Sequence, residues 1–185
     1  MCIRDRIQGF FNIPVDHLFA MPVMIDYFRS QDIPALTVVS PDAGGVERAR
    51  AFAKRLGAPL AIIDKRREEA NVAEVMNVVG DVSGRNCLLV DDLIDTAGTL
   101  VKGAEALLVK GAASVSACAT HAVLSGPAVS RIEASALKEV VCTNSIPPSE
   151  AARDSNRIRF LSIAKLMADA IRSIHDETSV STLFV

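Results

Sequence analysis

The sequence predicts an α/β protein, with an open, mostly parallel twisted sheet and helices on both faces. Three observations lead to this prediction. Short apolar segments of strand length alternate along the chain with segments of helical periodicity. Half of the 185 residues are hydrophobic, whereas aromatic residues make up only 4% and tryptophan is absent. A core of Ala, Val, Ile and Leu is common where buried parallel strands are covered by helices.

The individual elements follow from apolar runs that end in turn or helix-stop residues. Strands are predicted at 35–42, 60–64, 76–82, 86–92, 114–124, 138–146 and 158–163. Helices are predicted at 44–59, 100–112, 126–135 and 163–174. The last helix has the clearest periodicity, with apolar residues at Ile163, Leu166, Met167, Ala170, Ile171 and Ile174. In sheets of this kind, ligands bind at the carboxyl ends of the strands.

Composition excludes several classes of function. A formal net charge of −2 argues against broad capture of nucleic acid or of an anionic membrane, although it permits a small anionic ligand. No apolar run approaches the roughly 18 residues of a membrane span, and no secretory leader is visible. The four cysteines form no C-x-x-C pair, which favours buried, reduced thiols in a cytoplasmic protein. The three histidines lack the spacing of zinc ligands, and His121 is interpreted as structural or as a residue that supports the site without contacting the ligand.

The strongest motif is L-L-V-D-D-L-I-D-T-A-G-T, residues 88–99. A buried strand delivers Asp91 and Asp92 to the ligand edge of the sheet, where paired carboxylates suit the hydroxyls of a sugar diol. A small polar run then leads into a helix whose free N–H groups and positive dipole end favour a phosphate. This run consists of Asp95, Thr96, Ala97, Gly98 and Thr99. The whole string predicts a sugar-phosphate site rather than a capped helix beside solvated acids.

Two weaker clusters lie at other strand ends. In S-P-D-A-G-G-V, Asp42 is suited to hold Mg²⁺, although taken alone an ordinary turn capped by Asp42 explains it better. The cations Lys65, Arg66 and Arg67 follow another strand. They are either a flap that stabilises charge on a transferring phosphoryl group or a solvated charge run. Three clusters at the strand ends of one sheet favour a shared site.

These strings resemble a known family. V-D-D-L-I-D-T-A-G-T is similar to the phosphoribosyl-binding loop of type I phosphoribosyltransferases. Together with I-Q-G-F-F-N-I-P-V-D, S-P-D-A-G-G-V and A-I-I-D-K-R-R, it resembles the ribose-phosphate pyrophosphokinases from about Ile7 to Val185. The resemblance implies transfer of the diphosphoryl group of Mg·ATP to the 1-hydroxyl of ribose 5-phosphate, which gives phosphoribosyl pyrophosphate and AMP for nucleotide biosynthesis. It also implies a homo-oligomer, since the family forms hexamers.

The resemblance assigns roles by position. Asp91 and Asp92 are expected to bind the ribose hydroxyls, and residues 95–99 to cradle the 5-phosphate. Asp42 matches the metal-binding aspartate of the family. Lys65 matches its catalytic lysine, and Arg67 matches the arginine that works with that lysine. The protein is then expected to act through positioning and charge neutralisation rather than covalent chemistry.

The start of the chain departs from the family pattern. Residues 1–6, M-C-I-R-D-R, are expected to be a non-native leader, and residues 7–185 a C-terminal phosphoribosyltransferase-like domain. The family has a homologous N-terminal domain and a metal-binding histidine before I-Q-G-F-F, where this chain has Met1–Arg6. The chain is therefore expected to bind ribose 5-phosphate but to turn over poorly by itself. Two alternatives remain, a salvage phosphoribosyltransferase and a non-catalytic regulatory homologue of the synthetase.

Overall fold

The computed structural model describes residues 8–66 and 75–184, and within them seven strands form one sheet. The strands are β1 Leu36–Ser40, β2 Leu60–Arg66, β3 Val75–Val79, β4 Asn86–Ile94, β5 Ser114–Ala122, β6 Val140–Thr143 and β7 Ile158–Leu161. Their order across the sheet is β3-β2-β1-β4-β5-β6-β7. Neighbouring strands are parallel except for β2 and β3, which are antiparallel. The predicted mostly parallel sheet is confirmed.

Among the described residues, helices alternate with the strands except from β2 to β4, where three strands follow one another. The helices are α1 Met21–Ser30, α2 Val46–Leu56, α3 Gly98–Val109, α4 Ala128–Ala134, α5 Glu150–Asp154 and α6 Ala164–His175, followed by a 3₁₀ helix at Val180–Phe184. The sequence patterns predicted α2, α3, α4 and α6 but neither α1 nor α5. Helix α1 has a proline in its first turn and buries three large side chains. Helix α5 is short and is capped by Ser149, whose Oγ accepts the N–H of Ala152.

The two faces of the sheet are both buried. Successive strand residues point to opposite faces, so Val38 and Leu88 join one apolar cluster while Val39 and Leu89 join the other. Residues of α1 and α2 belong to the first cluster, and residues of α3 and α4 to the second. The predicted arrangement of helices on both faces is thereby confirmed. In the part of the chain that is described, no helix is both long and apolar enough to span a bilayer.

Helix α6 forms as predicted, but of its apolar residues only Ala170 is buried, whereas Met167, Ile171 and Ile174 are exposed.

Three cysteines are buried and unpaired, as expected: Cys87, Cys118 and Cys142. Their burial raises the pKa values of the thiols of Cys87 and Cys142, to about 11 and about 12. Because the thiolate is the nucleophilic form, these cysteines fill the core and do not act as reactive groups.

The β2–β3 hairpin differs from the predicted elements. Strand β2 continues two residues beyond Asp64, to Arg66, because Lys65 and Arg66 pair with Met76 and Val75. Strand β3 ends at Val79, so the strand predicted at 76–82 is too long. The chain turns at Gly80, whose φ of +113° is available at low cost only to glycine. The connection between these strands, including Arg67, lies outside the described residues.

We predict that Gly80→Ala destabilises the protein by about 2–4 kcal/mol, because an added Cβ meets a buried strand as well as an unfavourable φ. That Cβ would lie 2.9 Å from Cβ and 3.0 Å from Cα of Ala61. Gly57→Ala is the matched control, since Gly57 has φ +63° but no atom within 4 Å of its added Cβ. Its cost is expected to be about 1 kcal/mol. Urea unfolding followed by circular dichroism measures both, and equal costs would contradict the steric argument.

Candidate functional site

The order of the strands creates a cleft at the carboxyl edge of the sheet. From β1 the chain moves to β2 on one side, while β4 lies on the other side of β1. Pairing between β1 and β4 is recorded up to Val39 and Leu89, whereas β4 continues alongside β5 to Ile94. The last residues of β4 therefore extend beyond β1 and leave one side open. Such a reversal of strand order is where open α/β sheets bind ligands.

An open cleft of about 340 Å³ occupies this position. Its lining brings together residues that the sequence predicted from two separate clusters, together with apolar neighbours. These residues are Asp42, Asp91, Asp92, Leu93, Ile94, Asp95, Thr96, Ala97, Gly98, Thr99 and Leu100. Asp42 and the residues from Asp91 to Thr99 thus share one cavity. Within the described residues, the cleft joins a pair of carboxylates to the start of a helix.

Asp91 and Asp92 are held together by Arg48, which lies in the first turn of α2. Nη1 of Arg48 donates to Oδ1 of Asp91 at 3.3 Å, and Nη2 donates to Oδ2 of Asp92 at 2.8 Å. The backbone N–H of Asp92 also donates to Oδ1 of Asp91, at 2.8 Å. The side chain of Asp91 is 28% exposed and that of Asp92 is 63% exposed. The pair is therefore ordered but open to solvent on the cleft side.

Burial raises the pKa of Asp91 to about 6, and the neighbouring charge of Asp92 also raises it. The backbone N–H of Asp92 and the guanidinium of Arg48 act in the opposite direction. Two carboxylates in contact resist double ionisation, and an arginine beside them reduces that repulsion. Above about pH 6, Asp91 is an ionised acceptor for hydroxyl or N–H donors.

We predict a pH-dependent stability difference between the wild type and Asp91→Asn. The pKa of Asp91 is about 6 in the native state, above its ordinary unfolded value of about 3.9. The native state therefore binds more protons between these values, and its stability falls as pH rises through this window. Relative to Asp91→Asn, the wild type should lose roughly 1–2 kcal/mol between pH 4 and pH 7. Urea unfolding at each pH tests this, and parallel curves would contradict it.

The loop after β4 opens helix α3 without a side-chain cap. Ala97 is the residue before the helix, has a left-handed φ of +58°, and makes no side-chain capping bond. Such a φ costs a non-glycine residue about 1–2 kcal/mol, so the surrounding structure must hold it. The idea that Asp95 or Thr96 caps the helix is wrong, and no side chain of the described residues accepts the first N–H groups of α3. Those N–H groups suit an anion.

Two residues of the following segment brace this loop. The hydroxyl of Ser125 donates to Oδ1 of Asp95, and the N–H of Ser125 donates to the carbonyl of Asp95 at 3.1 Å. Arg131, on α4, donates from Nη1 to the carbonyl of Thr96 at 2.9 Å. The loop is therefore anchored through one side chain and two carbonyl groups.

Asp42 lies at the turn between β1 and α2. Its Oδ1 accepts the N–H of Gly45 at 2.8 Å, and its carbonyl accepts the hydroxyl of Ser40 at 2.7 Å. The turn interpretation thus accounts for one carboxylate oxygen of Asp42. Among the described residues, no three His, Cys, Asp or Glu side chains cluster as ligands for a metal. A single carboxylate is compatible with Mg²⁺, which commonly takes one or two carboxylates together with substrate phosphates.

Three residues considered in the sequence analysis remain, namely Lys65, Arg67 and His121. Strand β2 runs parallel to β1 and ends at the same edge of the sheet, which brings the backbone of Lys65 to that edge. Arg67 lies outside the described residues. His121 contacts Ser145, with Nδ1 and Oγ 2.9 Å apart, and does not line the cleft. This placement agrees with a structural role for His121.

Sequence reasoning missed Arg48, Ser125 and Arg131. The sequence pattern gave Arg48 no role in the site, because it precedes Ala49 on the predicted helix and resembles an ordinary charged surface residue. A signal was present, since a basic residue just after the Gly44-Gly45 pair at a helix start is positioned to face the strand ends. Ser125 and Arg131 lie about thirty residues beyond the loop that they contact. No local pattern links them to it.

Comparisons with known proteins agree with this geometry. The family model described as "Phosphoribosyl synthetase-associated domain" matches residues 69–185. The chain is 59% identical over 180 residues to a ribose-phosphate pyrophosphokinase of Neisseria meningitidis serogroup B, covering 97% of this chain and 55% of that protein. It is also 59% identical over 181 residues to a ribose-phosphate pyrophosphokinase of Caldanaerobacter subterraneus, covering 57% of that protein. The chain thus spans about half the length of the curated relatives it matches.

Solved structures lead to the same group. The phosphoribosylpyrophosphate synthetase from Mycobacterium smegmatis superposes with a TM-score of 0.84 at 41% identity. The match covers 94% of this chain and 56% of that one. An adenine phosphoribosyl transferase from Trypanosoma brucei has a TM-score of 0.51 at 18% identity and covers 77% of this chain and 64% of that one, which shows a shared fold alone. The type I phosphoribosyltransferase-like fold expected from the sequence is confirmed.

Proposed function

Because the chain belongs to the phosphoribosyl synthetase-associated domain family, we propose that it carries the ribose 5-phosphate site of a ribose-phosphate diphosphokinase. One observation supports this most directly: the acidic pair Asp91-Asp92 and the uncapped start of α3 line the same cleft. Carboxylates accept hydrogen bonds from hydroxyl groups, whereas free backbone N–H groups donate hydrogen bonds to an anion. A ligand with hydroxyls at one end and a phosphate at the other satisfies both. We propose that residues 7–185 form this domain.

In the proposed complex, the two ends of the sugar phosphate bind to different elements. Asp91 and Asp92 accept the ribose hydroxyls, and the backbone of Asp95–Thr99 surrounds the 5-phosphate. The hydroxyls of Thr96 and Thr99 are exposed and available as further donors. Since both groups belong to one continuous segment that runs from the end of β4 into α3, their separation is set by the fold before the ligand arrives. This preorganisation directs the 1-hydroxyl towards the open side of the cleft.

The reaction that we propose is transfer of a diphosphoryl group. The 1-hydroxyl oxygen bonds to the β-phosphorus of ATP, and the bond from that phosphorus to the oxygen shared with the α-phosphate breaks. AMP leaves with that oxygen, and the hydroxyl proton passes to solvent. The protein supplies alignment and charge neutralisation. Lys65 lies near the end of β2, the strand beside β1, and Arg67 comes next after β2 in the sequence. We propose that Lys65 and Arg67 neutralise charge on the transferring group.

Asp42 is the residue that we propose to hold Mg²⁺ together with phosphate oxygens of the nucleotide. Bound Mg²⁺ neutralises the phosphates and orients them. The Gly45 N–H fixes the carboxylate of Asp42 towards the cleft through Oδ1, and the described residues supply no hydrogen bond to Oδ2. We further propose that the protein acts in the cytoplasm and as a homo-oligomer, in keeping with a metabolic enzyme of this family.

Calorimetric titration with ribose 5-phosphate tests the proposed site, with inorganic phosphate as the comparison ligand. We expect ribose 5-phosphate to bind about tenfold or more tightly, because its hydroxyls add charge-assisted hydrogen bonds. Chromatographic assay of AMP formation from Mg·ATP tests the reaction, and a base-exchange assay tests a phosphoribosyltransferase. Equal affinity for the two ligands would contradict the proposed site. Activity in the base-exchange assay would indicate a phosphoribosyltransferase instead of a diphosphokinase.

A further inference from the structure

We propose that Arg48 is a positioning residue that holds Asp91 and Asp92 side by side as a receptor for two sugar hydroxyls. This inference rests on the proposed function and adds a specific role for a residue outside the predicted site. Arg48 lies 43 residues before Asp91 and 44 before Asp92. Within the described residues, it is the basic side chain that contacts both acids.

The pattern of contacts favours positioning over obstruction. Arg48 engages Oδ1 of Asp91 and Oδ2 of Asp92, one oxygen on each carboxylate. The backbone N–H of Asp92 shares the same Oδ1 of Asp91. No N–H or hydroxyl group of the described residues donates to the other oxygen of either acid, although the two carboxylates also interact with each other. Each carboxylate is therefore fixed through one oxygen and retains the second for a ligand.

The positive charge of Arg48 is a second reason to assign it a positioning role. Two ionised carboxylates in contact repel each other and also repel a sugar phosphate, which carries negative charge of its own. A guanidinium stays protonated at all physiological pH values, so Arg48 reduces the charge of the group from −2 to −1. The side chain of Arg48 is 34% exposed and that of Asp91 is 28% exposed, so solvent screens this interaction only in part.

The fold holds Arg48 in place. Ala49, the next residue, is fully buried, and its N–H donates to the carbonyl of Gly45 at 3.0 Å. A Cβ at Gly45 would lie 3.5 Å from Nη1 of Arg48 and 3.0 Å from Oγ of Ser40. Glycine at this position therefore leaves room beside the guanidinium. The backbone of the first turn of α2 therefore fixes the position from which the Arg48 side chain extends.

The test compares Arg48→Met, Arg48→Lys and Arg50→Met by calorimetry with three ligands. The ligands are ribose 5-phosphate, 2-deoxyribose 5-phosphate and inorganic phosphate. Arg50→Met is the matched control, because Arg50 lies on the same helix, is exposed and does not line the cleft. Thermal unfolding by circular dichroism is recorded for every variant to confirm that it folds.

We expect Arg48→Met to weaken ribose 5-phosphate binding about tenfold. This loss corresponds to one charge-assisted hydrogen bond between the ligand and a carboxylate that is no longer held in position. The loss should be smaller for 2-deoxyribose 5-phosphate, which lacks one hydroxyl, and under twofold for phosphate. Arg48→Lys should restore part of the affinity, since an ammonium group supplies charge without the planar fork. Arg50→Met should match the wild type with all three ligands.

Several results would overturn the inference. Equal losses for all three ligands would mean that Arg48 acts only through general charge or stability, and tighter binding would mean that it blocks the acids. If Arg48→Met does not fold, the same comparison in Arg48→Lys decides: a selective loss for ribose 5-phosphate supports the inference and an equal loss refutes it. A wild-type chain that binds ribose 5-phosphate no better than phosphate would instead refute the proposed function itself.

Discussion

Asp91→Asn should weaken the binding of ribose 5-phosphate by roughly 10- to 100-fold, the cost of losing a hydrogen bond to a charged acceptor. The substitution keeps the size of the side chain but replaces one acceptor oxygen with an N–H donor. A sugar hydroxyl then faces a weaker, neutral acceptor, and the Arg48 guanidinium faces an amide. Calorimetric titration above about pH 6, where Asp91 is ionised in the wild type, measures the effect.

Two comparison variants separate this effect from general charge. Asp154→Asn makes the same chemical change on α5 at an exposed residue outside the cleft, and it should leave the affinity unchanged. Lys65→Ala removes the residue assigned to the transferring group, so it should retain ribose 5-phosphate binding within about twofold. Retained affinity in Asp91→Asn, or a similar loss in all three variants, would contradict the role given to Asp91.

Leu107→Ala should lower the free energy of unfolding by about 3 kcal/mol, within the 2–5 kcal/mol common for buried leucines. Leu107 is fully buried in the cluster that joins α3 to the sheet. The substitution removes apolar contacts and leaves a cavity that close-packed neighbours fill only in part. Because α3 also provides the N–H groups of the proposed phosphate site, looser packing should weaken phosphate binding as well. Urea unfolding and calorimetry measure the two effects.

Val109→Ala is the control for this prediction. Val109 lies on the same helix but is 85% exposed, so its truncation should change the free energy of unfolding by less than about 0.5 kcal/mol. A similar cost for the two variants would contradict core packing as the source of the stability, since alanine has a higher helix propensity than leucine or valine. A large cost for Leu107→Ala with unchanged phosphate affinity would mean that the start of α3 is held independently of its core face.

Much of the fold follows from local pattern. Strands β1, β2, β4 and β5 are short apolar runs, and α2 and α3 carry apolar residues at helical spacing, so period alone identifies them. Helix α1 escaped because its one-sided pattern covers less than three turns, although Met24, Ile25 and Phe28 are buried. The direction of β3 also escaped. A parallel β3 would need a crossover connection, and whether one exists depends on how the chain returns rather than on the strand itself.

The candidate site divides in the same way. Local pattern was enough to place Asp91 and Asp92 near the carboxyl end of a buried strand, although β4 continues to Ile94, and to predict that small residues then open a helix. Strand and helix periods are local properties of a sequence. Local pattern does not predict that β4 lies beside β1 and extends past it, and these two features bring Asp42 into the same cleft. The tertiary structure also placed Arg48 between the two acids. Such contacts join residues more than forty positions apart, and their formation depends on how helices pack on both faces of the sheet, which no local pattern encodes.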